Sequence, residues 1–375
     1  MTFIFNSTVQ DHAVDMRLKR FENPADARHL ANEIDGQSVA ALMKACEEGG
    51  HVVRDYYRLK AKLLGLDQLY DYDRYGPVQI DGVGIPSCDW PSAGEIVVAA
   101  FSEFSPRLGE IARRFLERNW VDAAIRAGKR GGAFCSPTVP SAHPYILVNF
   151  MGKLSDAMTL AHEMGHGVHQ YLSRDKGILQ SGTPLTLAET ASVFGEMLVF
   201  QRLVSRETDP RVRLALYCNR IEDCFATVFR QVALTRFEET VHAARGEGEL
   251  STDQLDRLWL EANHAMLGDA VKLTEGYKRW WAYIGHFIHT PFYCYAYSFG
   301  ELLVLSLWNQ YQREGAPFVP KYLDLLEAGG SDTPANLVAG VGLDINDPSF
   351  WASGIAVVGD LLEEAKRLAE DVVQL

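Results

Sequence analysis

One five-residue pattern constrains this chain more than any other: His162-Glu163-Met164-Gly165-His166, set in a stretch whose apolar residues recur at helical spacing. Residues four apart on a helix share a face, so the imidazoles of His162 and His166 can reach a single metal ion. Glu163 sits about 100° round the same turn, placed to hold a water at that metal without being a ligand. This is the layout of a zinc metallopeptidase helix. A pattern with two free positions also arises by chance, and a solvated His pair beside a Glu needs no metal. The further ligands available downstream favour the metal.

A catalytic zinc needs three protein ligands and one open position. A metzincin would continue with Gly at position 169 and His at 172, whereas this chain has His169 and Leu172, so that class fails. The other source is a carboxylate from a later helix. Leu187-Ala188-Glu189-Thr190-Ala191-Ser192-Val193-Phe194-Gly195-Glu196 supplies two, separated by two helical turns and so facing the same way. Glu189 is the better placed third ligand, and Glu196 the better placed partner for a ligand imidazole. Without the upstream motif, Glu189 would read as a first-turn glutamate and Glu196 as half of a salt bridge. His169 lies on nearly the same face as His166, but a fourth protein ligand would close the site, so it reads as support or packing.

Composition narrows the setting. A chain of 375 residues with 47% hydrophobic and 23% charged residues suits a globular protein with a sizeable core. A net charge of −13 argues against a nucleic acid or an anionic membrane as partner. The six cysteines form no C-x-x-C pair, and their scatter suits reduced thiols in a cytoplasmic protein. The N-terminus lacks the basic start and apolar run of a signal peptide, and no stretch is long and apolar enough to span a bilayer. No repeat or linker divides the chain, so one catalytic domain over residues 1–375 is expected, with its active-site core at about 128–300.

Periodicity gives a mainly helical chain with a small β-sheet beside the motif helix. Helical spacing runs over residues 24–65, with Asn23 and Pro24 as a start signal and Gly65 as a stop, and again over residues 94–126. Residues 71–94 are rich in Tyr, Pro, Gly and Asp and read as irregular. Residues 145–150 are β-branched and aromatic between Pro144 and Gly152 and read as a strand, with a second strand or turn in 128–135. Ser155 or Asp156 can cap the motif helix. After a loop over 176–184, a helix from about Thr186 carries Glu189 and Glu196. Helices follow over 209–245 and 252–267, then an aromatic helix from Thr290-Pro291 to about Gln312, then short helices joined by Gly-rich turns over 318–375. The strand at 145–149 could pair its edge with an extended peptide. Gly165 and Gly167 have no propensity reason to sit in a helix, which points to close packing there.

The motif helix, the 187–196 segment and the spacing between them resemble the M3 family of metallopeptidases, oligoendopeptidase F-like members above all. Other segments agree: residues 55–66 (Asp55 to Leu66), Gly131-Gly132-Ala133-Phe134 with Tyr145-Ile146-Leu147-Val148-Asn149, His286-Phe287-Ile288-His289-Thr290-Pro291-Phe292-Tyr293-Cys294-Tyr295-Ala296-Tyr297, and Ala328-Gly329-Gly330-Ser331-Asp332-Thr333-Pro334 with Gly342-Leu343-Asp344 and Phe350-Trp351. The likeness covers nearly the whole chain. It implies a zincin-like catalytic domain holding one Zn2+ through His162, His166 and Glu189, and hydrolysis of short oligopeptides with Glu163 as general base. In that family a His and Tyr residues from the aromatic segment line the site, and His286, Tyr293 and Tyr297 are the matching positions; a buried aromatic helix is the plainer alternative. Family members usually carry a further helical N-terminal region with no counterpart in this sequence, so the outer wall of the substrate cleft is expected to differ. Two other functions remain open: a zinc exopeptidase on the same scaffold, and a peptide-binding protein without catalysis. The intact Glu163 speaks against the second.

Overall fold

The computed structural model describes residues 1–78, 80 and 87–372 and is mainly helical with one three-stranded sheet, the expected fold class. Backbone proximity groups the chain into two compact units. Met1–Asp81, Tyr217–Leu302 and Asn346–Leu375 form the first; Gly82–Leu216 and Leu303–Ile345 form the second.

In the first unit, residues 24–65 break into three helices, Asp26–Ala31, Gly36–Glu48 and Gly50–Leu63, and Gly65 at φ +66° follows the last. Asn23 does not cap the first of them. The bond runs the other way, with the Asn23 amide donating to Asp26 at 2.8 Å. The helix Thr2–Lys19 has no sequence signature, because Phe5, Val9 and Met16 point inward while Phe3, Ile4 and Leu18 face solvent, leaving no single apolar stripe. Phe5 nonetheless anchors the core, with its ring 5.8 Å from Phe287 and 5.9 Å from Trp281. Thr252–Leu267 begins on a capping box in which Ser251 and Gln254 satisfy one another's amides.

Two expectations change here. The aromatic helix starts at Tyr295, preceded by the short helix His286–His289. Thr290, ahead of a proline, is driven out of the α region (φ −148°, ψ 72°), and Phe292 takes φ +59°, its amide donating to Glu238 at 2.9 Å. The C-terminal part is not all short helices, since Pro348–Val372 runs unbroken: Trp351, Ile355, Val358, Leu362 and Ala365 keep one buried stripe, and neither Gly354 nor Gly359 interrupts it.

In the second unit, Ser105 and Pro106 split the expected 94–126 helix into Trp90–Phe104 and Pro106–Glu117. Part of the irregular stretch 71–94, residues 79 and 81–86, lies outside the described residues. The sheet consists of β1 (Val121–Asp122), β2 (Phe134–Ser136) and β3 (Tyr145–Leu147), in the order β1-β3-β2. β3 pairs parallel to β1 and antiparallel to β2, with Cys135 opposite Ile146. The strand expected to offer its edge to a peptide is therefore central, with both edges occupied, and among the described residues the outer edge of β2 has no strand beside it. Lys129 ties the loop ahead of β2 to the sheet: its buried ammonium donates to the carbonyls of Asp122, Ala124 and Val148.

The motif helix Leu154–Ser173 lies against this sheet and against the helix Ser192–Arg206. Asp156, in its first turn, accepts the amides of Lys153 at 2.9 Å and Met151 at 2.8 Å. Both motif glycines are packing positions. A Cβ on Gly165 would stand 2.3 Å from the Ala191 carbonyl oxygen, and one on Gly167 would stand 2.8 Å from the Phe115 ring.

Candidate active site

The segment 185–206 is two helices rather than one. Leu185–Ala188 ends at Glu189, and Ser192–Arg206 follows. The Ser192 hydroxyl is bonded to the Glu189 carboxylate at 2.6 Å and lies 3.2 Å from its carbonyl oxygen, a local bond that competes with helix continuation. The buried Tyr322 donates to the Thr190 carbonyl at 2.9 Å and holds the junction from the other side. Neither Ser192 nor Tyr322 was legible as a site residue: one is a small polar residue in an apolar helix, and the other lies more than a hundred residues downstream.

The junction delivers Glu189 to the histidine pair. His162 Nε2 and His166 Nε2 are 3.2 Å apart, and Glu189 Oε2 lies 3.4 Å from the first and 3.5 Å from the second. Ligands about 2.0–2.1 Å from a tetrahedral zinc stand about 3.3–3.4 Å from one another, so these three atoms outline one face of such a shell. Among the described residues they are the group able to hold a metal ion.

The donors are oriented from behind. His162 Nδ1 bonds Glu196 Oε1 at 2.6 Å, which turns Nε2 toward the shared centre. His166 is bonded to the Ala188 backbone. Burial pushes the His162 pKa down, but the Glu196 hydrogen bond and the charges of Glu196, Glu189 and Glu163 outweigh it and raise it to about 9. Burial and the neighbouring His162 lower that of His166 despite the Glu189 charge. His169 is buried, and burial with the charge of nearby His166 lowers its pKa to about 3.

Glu163 lines the same cavity, of about 500 Å³, together with both histidines, Cys135, Gln170 and Thr183. Its Oε2 is buried and finds no hydrogen-bond partner among the described residues. Burial raises its pKa to about 7, with Glu189 and Glu196 adding to the effect and His162 opposing it. A carboxylate with an unmet oxygen and such a pKa suits proton transfer near neutrality. On the cavity wall, the Cys135 thiol donates to Gln170 Oε1 at 3.2 Å. The amides of Ile146 and Val148 are spent on β1, bonding the carbonyls of Trp120 and Asp122. The alternation of a strand then turns Tyr145 and Leu147 toward β2, and the Cys135 amide and carbonyl away from β3 toward the open edge.

The aromatic candidates lie in the first unit and come together there. The His286 ring stacks on Tyr293 at 5.2 Å, its Nε2 is 3.3 Å from the Tyr297 hydroxyl, and the two Tyr rings are 5.2 Å apart. Tyr293 reaches this cluster from the turn before the helix, not from the helix. Tyr295 is buried apart from it, its hydroxyl bonded to Asn32 at 2.8 Å and His29 at 2.9 Å. Burial, aided by Arg230, lowers the pKa of His286.

Comparison with known proteins gives the same family as the motifs. The model of Peptidase family M3 matches residues 102–357. Oligopeptidase PepF of Bacillus subtilis is 28% identical over all of this chain and 56% of its own length. Two crystal structures share the fold: a Chlamydophila abortus chain at TM-score 0.89 and 24% identity, with 98% of this chain and 62% of that one covered, and oligoendopeptidase-F from Enterococcus faecium at TM-score 0.77 and 22% identity, with 99% and 60% covered. The chain thus spans a little over half the length of the curated relative.

Proposed function

Because the chain belongs to peptidase family M3, we propose that it is a zinc-dependent oligopeptidase that cleaves short peptides internally. The observation that carries this reading is the triangle of His162 Nε2, His166 Nε2 and Glu189 Oε2, with sides of 3.2–3.5 Å, beside a buried Glu163 oxygen that has no partner among the described residues. His162, His166 and Glu189 would hold the ion. When bound, zinc supplies Lewis acidity, lowering the pKa of water and polarising a carbonyl. Glu163 takes the proton of the attacking water and passes it to the leaving amine. Glu196 keeps His162 in the tautomer that leaves Nε2 free to ligate.

The substrate backbone pairs with the open edge of β2 at Cys135, which offers one amide and one carbonyl and reads no side chain. That mode suits a peptidase of broad sequence tolerance. The donor to the developing oxyanion is assigned to His286, Tyr293 or Tyr297 on the family resemblance alone.

The test is a quenched-fluorescent peptide with both termini blocked, assayed beside its free form and with metal content measured on the same sample. Internal cleavage of both forms, abolished by chelation and restored by zinc, is expected. Cleavage of the free form alone would replace this reading with an exopeptidase.

A further inference from the structure

The loop over residues 176–184 carries a pair of side chains that the fold does not use. Leu179 is 93% exposed and Ile178 66% exposed, side by side at the tip. Isolated exposed aliphatics are ordinary on protein surfaces. This pair stands on a base that is held tightly. The Gln180 and Ser181 amides bond back to the Gly177 carbonyl, Ser173 Oγ donates to the Ser181 carbonyl at 2.8 Å, and the Gly330 amide donates to the Gln180 carbonyl at 2.9 Å. The approach is closer than a side chain allows: a Cβ on Gly329 would stand 2.6 Å from Gln180 O, and one on Gly330 would stand 2.2 Å from Gly182 O. Gly329 also takes φ +56°, which any residue with a Cβ adopts only under strain.

The anchored base is part of the cavity wall. Ser181, Gly182 and Thr183 line the same cavity as His162, Glu163 and His166. Leu179 is two residues from Ser181, so its Cα lies within about 7 Å of that wall. An apolar tip held firmly at the rim of a peptide cavity is placed to meet a substrate side chain, and its chemistry selects an aliphatic or aromatic one. On the proposed peptidase reading, we infer that Leu179, with Ile178, forms a specificity-determining contact for one apolar substrate residue lying outside the cavity that holds the scissile bond. Binding to the β2 edge is sequence-blind, so this contact supplies side-chain selection that the edge cannot.

The experiment uses the full chain and a peptide set in which one position at a time carries Leu, Glu or Ser on a fixed polar background. Wild type is expected to favour Leu over Glu at one position by roughly tenfold in kcat/KM, the scale set by burying one aliphatic side chain. Leu179→Lys should reverse the order at that position alone, leaving the Ser peptide and the zinc content unchanged. An exposed tip tolerates the change without loss of fold. A position profile identical to wild type, or an equal loss over every peptide, overturns the inference. The same peptides are titrated by fluorescence anisotropy onto Glu163→Gln with and without Leu179→Lys. If wild type cleaves none of them yet binding shows the Leu179-dependent preference, the peptidase reading fails and the contact stands. Neither cleavage nor binding overturns both.

Discussion

At the scale of single residues, the site separates two glutamates by what each touches. Glu163 lines the cavity with an Oε2 that has no hydrogen-bond partner among the described residues, whereas Glu196 spends Oε1 on His162 Nδ1. Glu163→Gln keeps shape and removes the proposed base, so zinc content should match wild type while kcat falls by about 10²–10⁴. Glu196→Gln weakens the hold on a ligand imidazole, so zinc affinity should fall by roughly 10–100-fold, with activity recovering as zinc is added. Metal analysis and single-turnover kinetics on the two variants check the pair, and unchanged turnover in Glu163→Gln would refute the mechanism. His162, Glu163 and His166 were legible because a helix turns sequence spacing directly into proximity. Glu189 was legible as a residue type at a plausible distance. The way it arrives, at a break held by Ser192 and Tyr322, was not, since no local pattern encodes a hydroxyl from a distant helix.

At the scale of elements, glycines and turns decide where helices can go. The motif helix meets the Ala191–Ser192 backbone at Gly165, and the contact sits beside Glu189. Gly165→Ala should cost about 1–3 kcal/mol by overpacking and also weaken zinc binding, because the Glu189 junction must move to make room. Gly359→Ala is the control. A Cβ there meets nothing within 4 Å, so the same change in Pro348–Val372 should be neutral or stabilise by up to about 1 kcal/mol. Thermal melts and zinc titrations of both variants test the contrast. Glu238, on Arg230–Gly246, pins the turn ahead of the aromatic helix through the Phe292 amide, and burial raises its pKa to about 8 from an ordinary value of 4.5. The folded state then holds a proton that the unfolded chain releases, so this residue's contribution is full below about pH 4.5 and is lost as pH rises toward 8. Glu238→Gln keeps the carbonyl that accepts the Phe292 amide and never ionises. It should melt close to wild type at pH 5 and several degrees higher at pH 8, and a gap that does not widen with pH removes the assignment. Sequence placed the aromatic segment but started its helix too early, because only the tertiary bond to Glu238 shows Phe292 leaving helical geometry.

At the scale of the whole molecule, helical periodicity sufficed for the fold class, because most elements bury one stripe. The sheet was less legible: β1 is only two residues long, and without it β3 reads as an edge. The proposed peptide-pairing edge therefore lies on β2, because β1, too short to leave a sequence signal, fills the other side of β3. The proposed metal site, in turn, takes its three candidate ligands from two segments that must be folded to meet. A zinc ion that binds the native chain and not the unfolded one adds RT ln(1 + [Zn]/Kd), about 2.7 kcal/mol at free zinc a hundredfold above Kd. Chelated protein should thus melt a few degrees below the zinc-loaded form, and Glu163→Gln, which keeps all three ligands, should show the same rise. His166→Ala leaves a two-ligand site and should show little of it. An equal rise in His166→Ala would mean that zinc stabilises the protein from some other place, and would remove the three-ligand assignment even if the peptidase activity itself survived.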